Sequence, residues 1–155
     1  NLCVKDGAKY LDRWRGNVII ENEAKIIFSH HLGRVWIEER PKVRDVLSYA
    51  DPIVDTLLAG LDEGKYQKFS RYFDAQMRRA LNSNSFMQLR QQIINRVGRY
   101  QSRQFDRIGT KGEFIAVIYK CQFENDLVTI RVVFRQEDPN HRVTGLWFTS
   151  PRLNR

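Results

Sequence analysis

The sequence predicts an α+β fold: three N-terminal helices packed on a four-stranded antiparallel meander, preceded by an N-terminal extension of β character. Three observations carry this. Apolar residues recur at helical spacing between Ile53 and Val97. The period then changes from about 3.6 residues to about 2. Turn-forming clusters follow at hairpin spacing, at Gly109–Gly112, Glu124–Asp126 and Asp138–Asn140. Helices followed by a run of strands make a helix-on-sheet layer.

Asp51-Pro52 marks the start of the first predicted helix. An aspartate accepts a backbone N–H at the N-cap, and proline suits the first helical position because no N–H is needed there. Ile53, Val54, Leu57, Leu58 and Leu61 then fall on one stripe, and Gly64 ends it. A second helix buries Tyr66, Phe69, Phe73, Met77 and Ala80 and turns Lys68, Arg71, Arg78 and Arg79 outward. Ser85 with Gln88 three residues on has the form of a capping box. It opens a third helix through Phe86, Leu89, Ile93 and Val97, closed by Gly98.

Residues 100–108 alternate loosely, and residues 113–121 are apolar on both faces, as a central strand requires. From Leu127 to Arg135, Val128, Ile130, Val132 and Phe134 share one face and Thr129, Arg131 and Arg135 the other. Val143–Phe148 makes the last strand. Residues 1–50 read as an extension or small β subdomain, and 51–155 as the main domain. In the extension, Tyr10–Trp14 fits the end of a short helix, and Asn17–Ile20 with Lys25–Ser29 fits a strand pair around Glu21-Asn22-Glu23. Arg34–Glu38 fits a third strand, with a helical turn through Val43, Val46 and Leu47 after Pro41.

The chain of 155 residues is long enough to bury a core without a metal or disulfide staple. Nine Phe, six Tyr and three Trp supply that core, and no apolar run reaches the roughly 18 residues of a membrane span. Two cysteines, Cys3 and Cys121, fit free thiols better than a disulfide framework, with a single bridge left open. A first residue of Asn permits a removed targeting segment or a trimmed chain. The formal net charge of +8 directs attention to acidic proteins, nucleic acid and anionic membranes as partners.

The stretch Phe123-Glu124-Asn125, Leu127, Thr129-Ile130-Arg131-Val132-Val133-Phe134, followed by Val143-Thr144-Gly145-Leu146-Trp147-Phe148, resembles an uncharacterised domain family of the cystatin-like, nuclear-transport-factor-2-like superfamily. Ala59-Gly60-Leu61-Asp62-Glu63-Gly64-Lys65-Tyr66-Gln67-Lys68-Phe69 resembles its helix–Gly–aromatic helix entry. The resemblance covers about residues 50–151. It implies a strongly curved sheet wrapped around helices, with a conical pocket between them. Members of that superfamily use the pocket for ligands, for catalysis or merely as core, and use the open sheet face for dimerisation, so the fold does not choose among these uses.

Residues that would carry chemistry are scarce. His30 and His31 are adjacent, so on a strand they point to opposite faces, and His141 falls in a turn; no metal or other cofactor is expected. There is no Gly-x-Ser-x-Gly elbow and no Gly-rich phosphate loop. Cys121, at the end of a central strand, reads as a small buried hydrophobe. The acid pairs Glu38-Glu39, Asp62-Glu63 and Glu137-Asp138 read as solvated charges, because sequence neighbours do not face each other. Tyr72, Tyr119 and Trp147 are the polar-tipped candidates for a pocket, each also explicable as a core aromatic.

The distinctive signal is arginine. Between residues 78 and 107 lie Arg78, Arg79, Arg90, Arg96, Arg99, Arg103 and Arg107, against the single acid Asp106. In an extended segment Arg99, Arg103 and Arg107 would line one face with Gln101 and Phe105. Such a stripe suits phosphates or an acidic protein surface, or serves as a solvated basic face or a charged edge strand. The expectation is a non-catalytic interaction module that docks a protein partner, or a second copy, through the sheet face and this edge. Arg78, Arg79, Arg96, Arg99, Arg103 and Arg107 are its contact candidates. The alternatives are a small-ligand pocket protein or weak enzyme, and RNA binding through the arginines.

Overall fold

The computed structural model describes residues 42–154, together with the backbone of four short N-terminal strands, β1 (Leu2–Cys3), β2 (Ile19–Ile20), β3 (Ile26–His31) and β4 (Arg34–Glu39). Helices α1 (Val43–Glu63), α2 (Tyr66–Phe69), α3 (Ala75–Ala80) and α4 (Ser83–Val97) follow, then strands β5 (Tyr100–Lys111), β6 (Phe114–Phe123), β7 (Leu127–Arg135) and β8 (Val143–Thr149). Strands β5 to β8 form the expected antiparallel meander. β1 joins it at the β8 edge and β2 at the β5 edge, while β3 and β4 pair separately. The expected pairing of Asn17–Ile20 with Lys25–Ser29 is therefore corrected: Ile19 and Ile20 pair with Gly109 and Ile108 of β5. The helix expected at Tyr10–Trp14 lies outside the described residues.

The first helix starts at Val43 and not at Asp51, so the boundary expected near Asp51 falls inside α1. Val46 and Ala50 extend the buried stripe of Ile53, Val54, Leu57, Leu58 and Leu61 backwards. Burying that stripe outweighs the missing N–H of Pro52, which sits in the helix interior at an intrinsic cost of about 3 kcal/mol. Gly64 ends α1 in the left-handed conformation, with φ 72°. Arg90 of α4 donates from Nε to Leu61 O at 2.8 Å and from Nη2 to Asp62 O at 2.9 Å. A cation thus satisfies carbonyls at a helix C-terminus, where the dipole favours it.

The second expected helix is two. Between α2 and α3 the backbone turns to bond β8: Val143 N–H donates to Tyr72 O at 2.7 Å and Asp74 N–H to Val143 O at 3.0 Å. These long-range bonds replace helical ones, and the Asp74 carboxylate then caps α3 by accepting Met77 N–H at 2.7 Å. The α4 cap is Asn82, whose Oδ1 accepts Ser85 N–H at 3.0 Å, and not Ser85 itself. β5 runs past the expected turn to Lys111, which pairs with Phe114. The hairpin is thereby a two-residue Gly112-Glu113 loop, with Gly112 at φ 56°.

The main core lies between helices and sheet. Phe69, Phe73, Met77, Phe86 and Ile93 from the helices meet Val117, Tyr119, Phe123, Ile130, Phe134 and Phe148 from the strands. On the other face, called the outer face below, Phe114, Ala116, Val133 and Trp147 make a smaller buried cluster. Thr144 sits between Val143, paired with Phe134, and Gly145, paired with Val133. Its hydroxyl is buried and has no hydrogen-bond partner among the described residues. Thr144→Val is accordingly expected to raise stability by about 1 kcal/mol, read as a higher urea midpoint at unchanged m.

Candidate functional site

The three pocket candidates do not converge. Tyr119 points to the helix side, where it is fully buried and donates from its hydroxyl to Asp51 Oδ1 at 2.7 Å. Tyr119 lies opposite Ile130, and Ile130 opposite Phe148, so Phe148 shares its face. Trp147 faces the other way, its ring packed over Gly145, where an added Cβ would lie 2.7 Å from the indole Cζ3. Tyr72 sits in the α2–α3 connection with the Arg71 guanidinium 5.6 Å from its ring centre. Where a conical pocket was expected, Phe69, Phe86, Phe134 and Phe148 are at most 2% exposed and in the main core.

At the border of that core lies a polar cluster. Arg103 donates to Asp55 at 2.5 and 2.9 Å, approaches Asp51 at 3.4 Å, and stands 5.4 Å over the Tyr119 ring. The bonds to Asp55 raise the Arg103 guanidinium above the usual arginine range, while burial opposes them. Burial first, then the hydrogen bond to Asp51, pushes the Tyr119 hydroxyl well above an ordinary tyrosine. Burial takes the Cys121 thiol up to about 12, with Arg103 pulling it down. A thiol so placed is a poor nucleophile, because the thiolate is the reactive form. Cys121 is a free, buried cysteine.

The expected stripe of Arg99, Arg103 and Arg107 is divided. Two register irregularities interrupt the β5–β6 pairing, one between Tyr100 and Ser102 and one between Phe105 and Arg107. Each leaves one residue of β5 without a counterpart and shifts the alternation of faces. Arg103 opposite Cys121 and Phe105 opposite Tyr119 face the helices, whereas Arg107 lies opposite Ile118, on the outer face. Gln101 is exposed and outside the register. Arg99, just before β5, binds Asp62 through Nε and Nη2, both at 3.0 Å, and those bonds raise its guanidinium above the usual range. Arg96 donates to Leu153 O at 3.1 Å. Arg78 and Arg79 are exposed on α3, and Arg78 reaches Arg71 O at 3.4 Å.

The acids that meet these arginines are Asp51, read from the sequence as an N-cap, Asp62, read as a solvated charge, and Asp55, which the sequence reading did not single out. Their signal was present. At about 100° per residue, positions 4 and 11 apart return to within roughly 40° of one another, so the three form one edge of α1. A separate group of cations lies on the outer face. Arg107, Ile118, Arg131 and Trp147 form one cross-strand row. Lys120, two residues beyond Ile118, donates to Thr129 Oγ1 at 3.0 Å. Arg131 is half-buried, and among the described residues nothing pairs with it. Burial, then the charge of Arg107, lowers its guanidinium below the usual arginine range.

A surface cleft of about 540 Å³ lies elsewhere, lined by Lys65, Tyr66, Gln67, Lys68 and Ser83. Both lysines bind Glu63, at 3.3 and 2.9 Å. Among the described residues no group of three or more His, Cys, Asp or Glu gathers as a metal site would require, and no helix is long and apolar enough to cross a membrane.

Residues 54–146 match the family described as "Protein of unknown function (DUF3887)". The chain belongs to the DUF3887 family. The DUF3887 match begins within α1 and ends within β8, so it takes in the helical layer and the meander and leaves out the N-terminal strands. No curated protein and no solved structure matches the chain.

Proposed function

We propose that this DUF3887 chain is a non-catalytic interaction module that docks a protein partner through the outer face of its sheet. The observation that carries the reading is the pair of cations flanking Ile118 on this face, exposed Arg107 and half-buried Arg131, where among the described residues no acid pairs with the Arg131 guanidinium. A cation kept partly out of water without a partner is destabilising, and such a group is most readily explained by a counter-charge brought from outside. The filled interior on the helix side favours this over a small-ligand pocket. The Arg-rich edge contributes less than its sequence suggests, since Arg99 and Arg103 already hold Asp62, Asp55 and Asp51. In the same reading the domain is a nuclear-transport-factor-2-like fold that uses its pocket region as core. Helices layered on one face of an antiparallel meander support this, as does the sequence resemblance.

Site-specific photo-crosslinking tests the proposal. A photoreactive residue at Thr129, on the outer face, is expected to trap a discrete protein adduct in extract of the source cells, while one at Gln67, beside α2, traps none. Adducts from Gln67 alone, or no adduct from Thr129, would remove the reading.

A further inference from the structure

Arg107, Lys120 and Arg131 lie together on the outer face of the sheet. Arg107 and Arg131 stand on either side of Ile118, two strands apart, about 10 Å between backbones. Lys120 adds a third cation from the same strand and face as Ile118. Among the described residues, the acid paired with Arg107 is Asp106, in the second β5 irregularity, at 4.0 Å. Glu113 is held by Arg135 at 3.2 Å, at the far end of the sheet. Neither reaches Arg131.

We propose that Arg107 and Arg131, assisted by Lys120, form a clamp for a carboxylate side chain presented by an acidic segment of a protein partner. The inference rests on the interaction-module reading and names its chemistry. Guanidinium groups match a carboxylate through paired N–H donors, which a point charge such as lysine does not reproduce. Nucleic acid fits less well, because phosphate recognition needs cations spread along a track. The arginines that would extend such a track, Arg99 and Arg103, turn towards the acids of α1. A second copy fits poorly too. A two-fold contact through this face would set the same patch against itself, cation to cation.

The test titrates the full chain with a short labelled polyglutamate peptide and, in parallel, with an oligoadenylate of equal charge. The peptide is expected to bind. The paired substitution Arg107→Gln with Arg131→Gln should weaken it by about tenfold or more, since charge-assisted bonds are the strong ones. Arg78→Gln with Arg79→Gln removes the same charge from α3 and should change binding by no more than about twofold. Equal weakening by both pairs would show attraction by overall charge and overturn the clamp, as would absence of peptide binding to the intact chain. A marked preference for oligoadenylate, lost in the Arg107/Arg131 pair, would overturn the protein assignment. Thermal unfolding guards against misfolding: the Arg107/Arg131 pair should unfold at the same temperature or higher. A clear fall would mean that Arg131 is already satisfied within the chain, which also overturns the proposal. The two failures are distinguishable: lost or non-selective peptide binding overturns the clamp while leaving the Thr129 crosslink intact, whereas absence of the Thr129 adduct removes the module reading itself.

Discussion

Replacing Gly60 with alanine is expected to destabilise the protein by about 3 kcal/mol, where the same change on an open helix face would stabilise it by roughly 1 kcal/mol. Gly60 lies on the buried side of α1, one turn before the Gly64 cap. The chain reverses there and brings α2 back against it. A Cβ at Gly60 would stand 2.7 Å from Phe69 Cα, 2.9 Å from Lys68 C and closer still to Phe69 N. These are backbone atoms, so no side-chain rotation relieves the clash. Phe69 in turn is 1% exposed, with Phe86 at 4.6 Å and Phe73 at 5.2 Å between ring centres. Moving α2 therefore disturbs three packed rings. Urea denaturation of Gly60→Ala should give a much lower midpoint at similar m; an unchanged or raised midpoint would show that α1 and α2 are not in backbone contact.

The second large effect is alkaline instability. Cys121, Tyr49 and Tyr100 are each pushed by burial up to about 12, and Tyr119 higher still. In the unfolded chain a thiol titrates near about 8.5 and a phenol near about 10. Above those values the unfolded state loses protons that the folded state retains, so it binds fewer, and stability falls as pH rises. Below about pH 8.5 the contribution is constant; between there and about pH 12 each group takes away about 1.4 kcal/mol per pH unit once its unfolded form ionises. Stability from denaturant curves should thus be flat near neutrality and fall steeply above about pH 10. Tyr119→Phe should lose about 1 kcal/mol at neutral pH, through the bond to Asp51, yet decline less steeply in alkali. Equal slopes for both proteins would mean that the Tyr119 hydroxyl is accessible to water.

What could be read in the sequence was local. The stripe of Ile53, Val54, Leu57, Leu58 and Leu61 and the alternation from Val128 to Phe134 are set by helix and strand geometry, and both appear where periodicity placed them. The layered fold class followed from their order. What was missed depends on partners distant in the chain. Pro52 reads as a helix start until the burial of Val46 and Ala50 is known. The break in the second helix follows from Phe73 meeting Val143, seventy residues away. The bulge between Phe105 and Arg107 leaves no mark in an irregular alternation, yet it sends Arg103 and Arg107 to opposite faces. The arginine count was legible, but its meaning was not. It depended on Asp51, Asp55 and Asp62 rising along one edge of α1 to meet Arg103 and Arg99.

This division of the arginines underlies the functional account, and side-chain NMR of the guanidinium Nε–H groups reads it directly. Arg99 and Arg103, bonded to carboxylates through Nε, should give slowly exchanging Nε–H signals that stay in place when polyglutamate is added. Signals from Arg107 and Arg131 should exchange rapidly in the free protein and shift or sharpen with the peptide. If the peptide moved Arg99 and Arg103 instead, leaving Arg107 and Arg131 untouched, the contact surface would lie on the Arg-rich edge and the outer-face account would be wrong.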